Sequence, residues 1–271
     1  MLSLHERVDI LRELEIIGQG AAAILMKGFR KPLASLEFKG AIDLVTEYDR
    51  ASEAFIRAEV GRRLPTFDLV AEEEGGTVSG TRPVIYADPL DGTTNFSHGH
   101  PFFAVSIALT SGDTLEAGVV IAPALGWTYA AARGHGATRN GEPSRVSTIG
   151  VLDRSLLATG FPYDRRTSPQ NNLRAFVELK KRFAQGVRRC GAAAIDLCLV
   201  ADGTYEGYWE HKLKPWDLAA GALMVMESGG RVTSFEGGAP RVLNGELVAS
   251  NGLVHDELLR ALAEAESLPP L

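Results

Sequence analysis

The sequence predicts a mixed α/β fold, and three changes of pattern along its 271 residues support this prediction. Apolar residues at helical spacing begin near the N-terminus, and two helices are predicted within the first 64 residues. Residues 103–132 then carry three strand-like runs that are separated by turn residues. After about Val151, short strands alternate with helices. With 45% hydrophobic residues, the chain has enough apolar material for a sizeable core.

The first half is predicted to contain two helices, a short strand, a buried strand, a β-rich block and a hairpin. Ser3 and Glu6 form a capping-box pattern at the start of the first helix. The second helix should end before Pro65, and the second strand runs directly into Asp88. The predicted bounds are helices to about residue 28 and at 46–64, strands at 69–71, 84–87, 103–110, 115–122 and 127–132, and a hairpin at 140–141.

The second half is predicted to alternate strands with helices. The predicted bounds are strands at 156–159, 205–209 and 247–249, and helices at 169–183, 191–201, 216–227 and 255–265. The helix over 191–201 is interpreted as an apolar packing helix. No internal repeat or flexible linker is visible, so we expect one compact unit. Its subdomains are predicted at approximately 1–147 and 148–271, with the functional site at their interface.

Composition and charge argue against several classes of protein. The net charge of −6 and the short, scattered basic clusters do not favour nucleic-acid binding, which needs a basic surface. Only Cys190 and Cys198 are present, so no disulfide framework is expected. The polar N-terminus lacks a signal-peptide pattern, and no apolar stretch is long enough to span a membrane. We therefore expect a cytoplasmic protein with no membrane partner.

The chemistry is concentrated in the string DPLDGTTNF at residues 88–96. A buried strand delivers Asp88 and Asp91 across a turn stiffened by proline, just before a short helix is predicted to begin. The amides of Gly92, Thr93 and the next residue would lie at that helix N-terminus and could hold a phosphate. Two carboxylates beside a phosphate repel it unless a hard cation is bound, with Mg²⁺ first and Mn²⁺ next. The alternative is a turn whose aspartates only cap a helix.

Two further acidic positions make it less probable that Asp88 and Asp91 serve only as helix caps. Glu72 follows a short strand, although it also belongs to a run of three glutamates that could simply be solvated. Asp217 lies in the string WDLAAG at residues 216–221, where it opens a helix and could serve only as an N-terminal cap. Each segment is ambiguous alone, so their combination is what carries the argument.

Together the three segments resemble the inositol monophosphatase family of metal-dependent phosphomonoesterases. They stand in the family's order and at compatible distances, and the resemblance covers nearly the whole chain. Further similar positions are Lys39, Asp43 with residues 44–46, Asp49, and residues 102–109, 159–162 and 191–194. The resemblance implies a layered αβαβα sandwich, usually paired into a homodimer.

The resemblance also implies a role for individual residues. Glu72, Asp88 and the carbonyl of Leu90 would hold a first Mg²⁺, and Asp88, Asp91 and Asp217 a second. Glu72 would also help to hold a weak third Mg²⁺ through waters. Glu72 and Thr93 would lie near the attacking water, with Asp49 as the partner of Thr93. The phosphate would contact the amides of Gly92 and Thr93, and the polyol would contact Asp91, Ala193 and Glu210. Ala192 departs from the Ser or Thr that is common at its position, which puts one polyol contact in doubt.

The function implied is Mg²⁺-dependent hydrolysis of a phosphate monoester, with inositol monophosphate as the first choice of substrate. A divalent cation makes hydroxide available near neutral pH, so no side-chain nucleophile is needed and inversion at phosphorus is expected. Ca²⁺ and Li⁺ should inhibit. The alternatives are a related phosphatase acting on fructose 1,6-bisphosphate, NADP, histidinol phosphate or a 3′-phosphonucleotide, or a regulatory binding protein that keeps the fold. Glu210 could also be only a solvated residue at a strand end.

Overall fold

The structure is a computed structural model that describes residues 2–33, 36–38, 44–182 and 185–268. Lys39 and Asp43, which contribute to the resemblance, lie outside the described residues, as does Phe183 at the predicted end of a helix. In the described ranges, no helix is both long enough and apolar enough to cross a membrane.

The described residues form seven α-helices and fourteen strands. The helices are α1 (Leu4–Gly28), α2 (Glu47–Arg63), α3 (Thr93–Ser97), α4 (Leu173–Arg182), α5 (Ala193–Ala201), α6 (Pro215–Glu227) and α7 (His255–Glu266). The strands are β1 (Leu36–Phe38), β2 (Leu44–Thr46), β3 (Asp68–Ala71), β4 (Val84–Asp91), β5 (Ala104–Ser111), β6 (Thr114–Ala122), β7 (Trp127–Ala132), β8 (Gly136–Arg139), β9 (Glu142–Pro143), β10 (Leu156–Thr159), β11 (Gly186–Arg188), β12 (Gly207–Glu210), β13 (Arg231–Thr233) and β14 (Leu247–Ser250).

Two large sheets organise the fold. The first has seven strands in the order β3-β4-β5-β6-β7-β8-β9, and only its β3/β4 pair is parallel. The second has five strands in the order β11-β10-β12-β14-β13, with parallel pairing on one side of β12 and antiparallel pairing on the other. A small antiparallel pair, β1 and β2, precedes α2.

The helices and sheets alternate in five layers. Helices α1 and α2 pack on the outer face of the seven-stranded sheet through one hydrophobic cluster. Helices α5 and α6 lie between the two sheets, and a second cluster joins them to both. A third cluster holds α4 and α7 on the outer face of the five-stranded sheet. The predicted αβαβα sandwich is confirmed, whereas the division at residues 147/148 stays a prediction.

Most elements of the sequence prediction agree with the structure. Helix α1 begins with the predicted capping box, because the hydroxyl oxygen of Ser3 accepts from the amide of Glu6 and the Glu6 carboxylate accepts from the amide of Ser3. Helix α2 has the same arrangement, with Thr46 as its N-cap. The hairpin between β8 and β9 turns at Asn140 and Gly141, which both have positive φ as a two-residue turn requires.

Three predicted boundaries are wrong, and backbone conformation explains each. Strand β4 does not stop before Asp88 but continues to Asp91, with a register shift against β5 between the two aspartates, so the predicted turn is a bulge in a strand. Helix α4 begins four residues late because Asn172 has φ of 63°, which an α-helix does not accept. Helix α5 begins at Ala193 because Gly191 has φ of 90°. The short strands β11 and β13 were not predicted.

Candidate active site

A cavity of about 550 Å³ lies where the seven-stranded sheet meets α5 and α6. Nine of the ten predicted site residues line it, namely Glu72, Asp88, Leu90, Asp91, Gly92, Thr93, Ala193, Glu210 and Asp217. The tenth, Asp49, contacts Thr93 from behind. The structure therefore brings together residues that are up to 145 positions apart in the sequence. Their chemical roles stay predictions.

Parallel pairing places Glu72 next to the aspartates of β4. Strands β3 and β4 pair in parallel, with Ala71 opposite Ala87, so the residues that follow lie at the same edge of the sheet. The amide of Glu72 donates to the carbonyl of Ala87 at 3.2 Å and extends that pairing. The alternative that the run of three glutamates is simply solvated holds for Glu74, whose side chain is exposed. Glu72, by contrast, is half-buried at the cavity wall.

Three aspartates of the cavity are oriented by backbone amides. In each carboxyl group, one oxygen accepts a hydrogen bond of 2.8 Å from a main-chain N–H. The pairs are Leu90 N to Asp88 Oδ1, Ala194 N to Asp91 Oδ2, and Lys214 N to Asp217 Oδ2. The last contact is the reciprocal half of a capping box at the start of α6, so Asp217 does cap its helix while it also lines the cavity.

Burial and mutual repulsion disfavour the charged forms of two of these aspartates. Asp88 is 2% exposed, and burial, followed by the negative charges of Glu72, Asp91 and Asp217, raises its pKa well above its usual range. Burial and the charge of Asp217 likewise raise the pKa of Asp91. A bound divalent cation would remove this conflict, because its positive charge favours the ionised carboxylates.

The donor set fits a hard cation by chemistry and by charge. Carboxylates and the carbonyl of Leu90 offer only oxygen, which is the ligand type that Mg²⁺ and Ca²⁺ prefer. Over the described ranges of the chain, however, no group of three or more acidic, histidine or cysteine side chains stands in a preformed metal-ligand arrangement. The amides that hold one oxygen of each aspartate fix these side chains in their present orientation.

Thr93 links the start of α3 to the buried carboxyl group of Asp49. Its hydroxyl lies 2.9 Å from Asp49 Oδ1 and 3.1 Å from the carbonyl oxygen of Leu90, and its single proton can serve one of them at a time. Asp49 also accepts from the amide of Thr46 in the capping box of α2. Burial raises the pKa of Asp49, and these hydrogen bonds oppose the rise. Gly92, with φ of 92°, precedes α3 and takes a conformation that favours glycine.

Glu210 faces the cavity from the end of β12, and it is buried. It is 5% exposed and accepts a hydrogen bond from the hydroxyl of Tyr208, so the alternative that Glu210 is a solvated residue at a strand end is wrong. A Cβ atom at Gly160 would collide with its carboxylate, which explains the glycine there. Burial raises the pKa of Glu210 to about 7.

Sequence reasoning missed one acidic residue of the cavity, Asp196 on α5. It lines the cavity and is 2% exposed. The available signal was its position, because it is the only aspartate or glutamate in the otherwise apolar stretch AAIDLCLVA. A charged residue type is rarely buried unless it is paired.

The chain is similar over most of its length to known proteins. The model of the inositol monophosphatase family matches residues 9–267. An inositol-1-monophosphatase of Synechocystis is 46% identical over 222 residues, which are 82% of this chain and 77% of that protein. The Nus factor SuhB of Pseudomonas aeruginosa is 42% identical over 246 residues, or 89% of this chain and 90% of that protein. The solved inositol monophosphatase of Anabaena superposes with a TM-score of 0.87 at 38% identity and covers 97% of both chains.

Proposed function

Because this chain belongs to the inositol monophosphatase family, we propose that it is a Mg²⁺-dependent phosphomonoesterase that hydrolyses inositol monophosphate to inositol and phosphate. One observation carries the proposal. Four carboxylates from three separate segments line one cavity, and two of them are buried against their mutual repulsion. Such an arrangement is costly unless a cation is part of the working protein.

The proposed cation sites use the oxygen ligands of this cavity. Glu72, Asp88 and the Leu90 carbonyl would hold one Mg²⁺, and Asp88, Asp91 and Asp217 a second. Glu72 would support a weaker third through waters, and Mn²⁺ would be accepted in place of Mg²⁺. Bound cations would supply charge stabilisation for the phosphoryl group and would make hydroxide available near neutral pH.

Thr93 and Asp49 would orient the attacking water. When the hydroxyl of Thr93 donates to Asp49, its oxygen can accept a hydrogen bond from a water in the cavity. Asp49 is held by the capping box of α2, so this acceptor for the Thr93 hydroxyl is in place before substrate binds. The carboxylate of Glu72, which lines the same cavity, would accept the proton of that water.

The remaining predicted residues would bind the substrate. The amides of Gly92 and Thr93 lie at the N-terminus of α3, where main-chain N–H groups have no acceptor within the helix, and would hold phosphate oxygens. The polyol would contact Asp91, the backbone of Ala193 and Glu210. Since no side chain attacks phosphorus, the reaction should invert its configuration.

The experiment is phosphate release from a substrate panel with and without Mg²⁺. The panel contains inositol monophosphate, fructose 1,6-bisphosphate, NADP, histidinol phosphate, a 3′-phosphonucleotide and p-nitrophenyl phosphate. We expect phosphate release only in the presence of Mg²⁺, with the highest kcat/KM on inositol monophosphate. A higher value on another member would transfer the assignment to that related phosphatase. The absence of release from every member would refute a phosphomonoesterase.

One of the similar proteins is a Nus factor, SuhB, and this similarity supports a second candidate function. In this alternative, the chain is a regulatory binding protein that keeps the fold. Hydrolysis would then be dispensable, whereas all four predicted metal carboxylates are present in this chain. Variants that abolish phosphate release discriminate between the two, because a purely regulatory role would survive them.

We also propose a homodimer, as the resemblance implies. Light scattering coupled to size-exclusion chromatography tests it, since the mass of one chain is 29.1 kDa. A mass of one chain across the concentration range would contradict the dimer.

A further inference from the structure

A buried polar face of α2 lies behind the cavity. Asp49, Ser52 and Glu53 stand at the i, i+3 and i+4 positions of one helix face, and each is at most 1% exposed. Polar side chains are rarely buried so completely unless hydrogen bonds satisfy them. All three make hydrogen bonds, and none of them is among the described residues that line the cavity. This face of α2 therefore holds other segments of the chain rather than a ligand.

Each of these three residues holds a segment that contributes to the cavity. Asp49 accepts from the hydroxyl at the start of α3. The hydroxyl of Ser52 donates to the carbonyl of Pro89 at 3.0 Å, between the two aspartates of the bulge in β4. Glu53 accepts from two amides of the turn that carries Glu72. One helix face thus supports three segments of the proposed site from behind.

The turn after β3 depends on Glu53 for two of its hydrogen bonds. Its amides, at residues 71–75, all donate to an acceptor. The first and the last donate to each other's carbonyl groups, and the amide of Glu72 donates to β4. The amides of Glu73 and Glu74 donate to Glu53 Oε2 and Oε1, at 2.7 and 2.9 Å. The carboxylate of Glu53 thus completes the hydrogen bonding of the backbone around Glu72.

A charged carboxylate suits the position of Glu53. It has two oxygens and no proton, so it accepts from two amides at once, and hydrogen bonds to a charged acceptor are stronger than neutral ones. Arg57, one turn along α2, balances the charge. Its guanidinium donates to Glu53 Oε1 at 2.9 and 2.7 Å and to the carbonyl of Gly75 at 2.5 Å. Glu53 is therefore a paired buried charge that is joined to the turn both directly and through Arg57.

We propose that Glu53 is a positioning residue for Glu72. Its carboxylate fixes the turn from which Glu72 lines the cavity, and it thereby sets the affinity of the cation site that Glu72 would share with Asp88 and the Leu90 carbonyl. The inference rests on the proposed function. Groups that orient a metal ligand from behind contribute about 10–100-fold to metal affinity. Since Glu53 is not among the described residues that line the cavity, its effect should pass through Glu72.

The first experiment measures cation binding without substrate. Mn²⁺ is titrated calorimetrically into wild type, Glu53→Gln and a matched control, Glu59→Gln. In Glu53→Gln, one amide of the turn faces an NH₂ group in place of an oxygen, so the Kd for Mn²⁺ should rise about tenfold or more. Glu59 lies on the same helix, and its described partners are Arg62 and Arg63, so its variant should keep the Kd within about twofold. An unchanged Kd in Glu53→Gln would overturn the inference.

The second experiment asks whether the effect passes through Glu72. A double-mutant cycle combines Glu53→Gln with Glu72→Gln. In the chain that already carries Glu72→Gln, adding Glu53→Gln should change the Kd for Mn²⁺ by less than about twofold, because the side chain to be positioned is gone. A further loss of about tenfold in that background would mean that Glu53 supports the fold or another ligand, and it would overturn the inference.

The activation profile supplies a readout that a smaller folded fraction would not give. In Glu53→Gln, the Mg²⁺ concentration at half-maximal phosphate release should rise about tenfold, whereas the KM for inositol monophosphate at saturating Mg²⁺ should stay within about twofold. The assays run well below the melting temperature of each variant, which circular dichroism provides. A fall in the maximal rate alone, with the Mg²⁺ requirement unchanged, would overturn the inference.

Arg57→Lys keeps the inference testable if Glu53→Gln does not fold. Arg57 is partly exposed, and lysine keeps its charge but offers one nitrogen in place of the guanidinium fork that contacts Glu53 and the carbonyl of Gly75. The Kd for Mn²⁺ should rise about threefold, as the loss of one hydrogen bond allows. An unchanged Kd in this variant would overturn the inference.

The Mn²⁺ titration also separates this inference from the proposed function. If the wild type binds Mn²⁺ but releases phosphate from no member of the substrate panel, the proposed function fails, and about tenfold weaker binding by Glu53→Gln still supports the inference. If the wild type hydrolyses and Glu53→Gln binds Mn²⁺ equally well, the inference fails alone. If the wild type neither binds Mn²⁺ nor hydrolyses, both fail.

Discussion

The two sides of the cavity differ in how their carboxyl groups are held. On the side of Asp88, Asp91 and Asp217, each carboxyl group accepts from a backbone amide and is oriented before any ligand arrives. On the other side, Glu210 accepts a hydrogen bond from the hydroxyl of Tyr208. Asp196 Oδ1 has no hydrogen-bond partner among the described residues. The main chain therefore orients the carboxyl groups of the first side, whereas another side chain holds that of Glu210. Chemistry and substrate selection should therefore be separable by mutation.

Metal removal should have the largest effect, because the proposed cations would serve the reaction of every substrate. After exhaustive chelation, phosphate release should fall by about three orders of magnitude, since bound cations supply several kcal/mol of charge stabilisation. Added Mg²⁺ should restore it, whereas Ca²⁺, with its larger and looser ligand shell, should support little turnover. Full activity in chelator would show that the carboxylates serve another purpose.

Asp217→Asn should have the second-largest effect, and its loss of kcat should not depend on the leaving group. Removing one charge from the proposed second cation site should lower kcat about 100-fold on inositol monophosphate and on p-nitrophenyl phosphate alike. The exposed Asp153→Asn is the matched control and should be neutral. Because Asp217 also caps α6, the melting temperature must be followed, and unfolding of the variant at the assay temperature would void the comparison. A loss on inositol monophosphate alone would mean that Asp217 contacts the polyol and does not hold a cation.

Glu210→Gln tests whether Glu210 contributes to the selection of polyol substrates. It keeps the shape of the side chain but weakens its acceptor, so kcat/KM on inositol monophosphate should fall about tenfold. Hydrolysis of p-nitrophenyl phosphate should fall much less. Equal losses on both substrates would mean that Glu210 supports the cations or the fold. The two sides of the cavity would then not differ in function.

Lithium should act on the cation side only. Li⁺ carries one charge where Mg²⁺ carries two, so its occupation of the site of Asp88, Asp91 and Asp217 after the leaving group departs should stall product release. We expect inhibition that is uncompetitive with substrate and of similar strength in wild type and Glu210→Gln. Rates that stay unchanged at high millimolar Li⁺, with Na⁺ at matched ionic strength, would contradict this expectation.

The smallest effect concerns the pH dependence of stability. Burial raises the pKa of Glu210 from 4.5 to about 7, so its contribution is complete below pH 4.5 and is lost as the pH rises through 7. From about pH 5.5 to about pH 8, this group should lower the free energy of unfolding by about 2 kcal/mol. Denaturant unfolding with Mg²⁺ present, which neutralises the cation side, should show this decline in wild type but not in Glu210→Gln. A variant that retains the whole decline would assign it to other groups.

The sequence alone was enough to predict a mixed α/β fold and the acidic residues Asp88, Asp91 and Asp217 that line the cavity, whereas the layered arrangement was implied by the family resemblance. The first two depend on local patterns, namely apolar periodicity, capping residues and the strings at residues 88–96 and 216–221. Helix α1 was predicted closely because its capping box and apolar spacing are written in neighbouring residues. The aspartates were recognised because acidic, proline and glycine residues stand together in short strings.

Only the tertiary structure decided the details that depend on distant partners. The bulge that replaces the predicted turn at residues 88–91 exists because β5 pairs with β4 on both sides of it. Asp91 is fixed by the amide of Ala194, 103 residues away, and Glu210 is buried by the packing around β12. Asp196 was not identified from the sequence, where it is one acidic residue in an apolar helix. Its burial and its missing donor follow from packing across the chain, which no local pattern encodes.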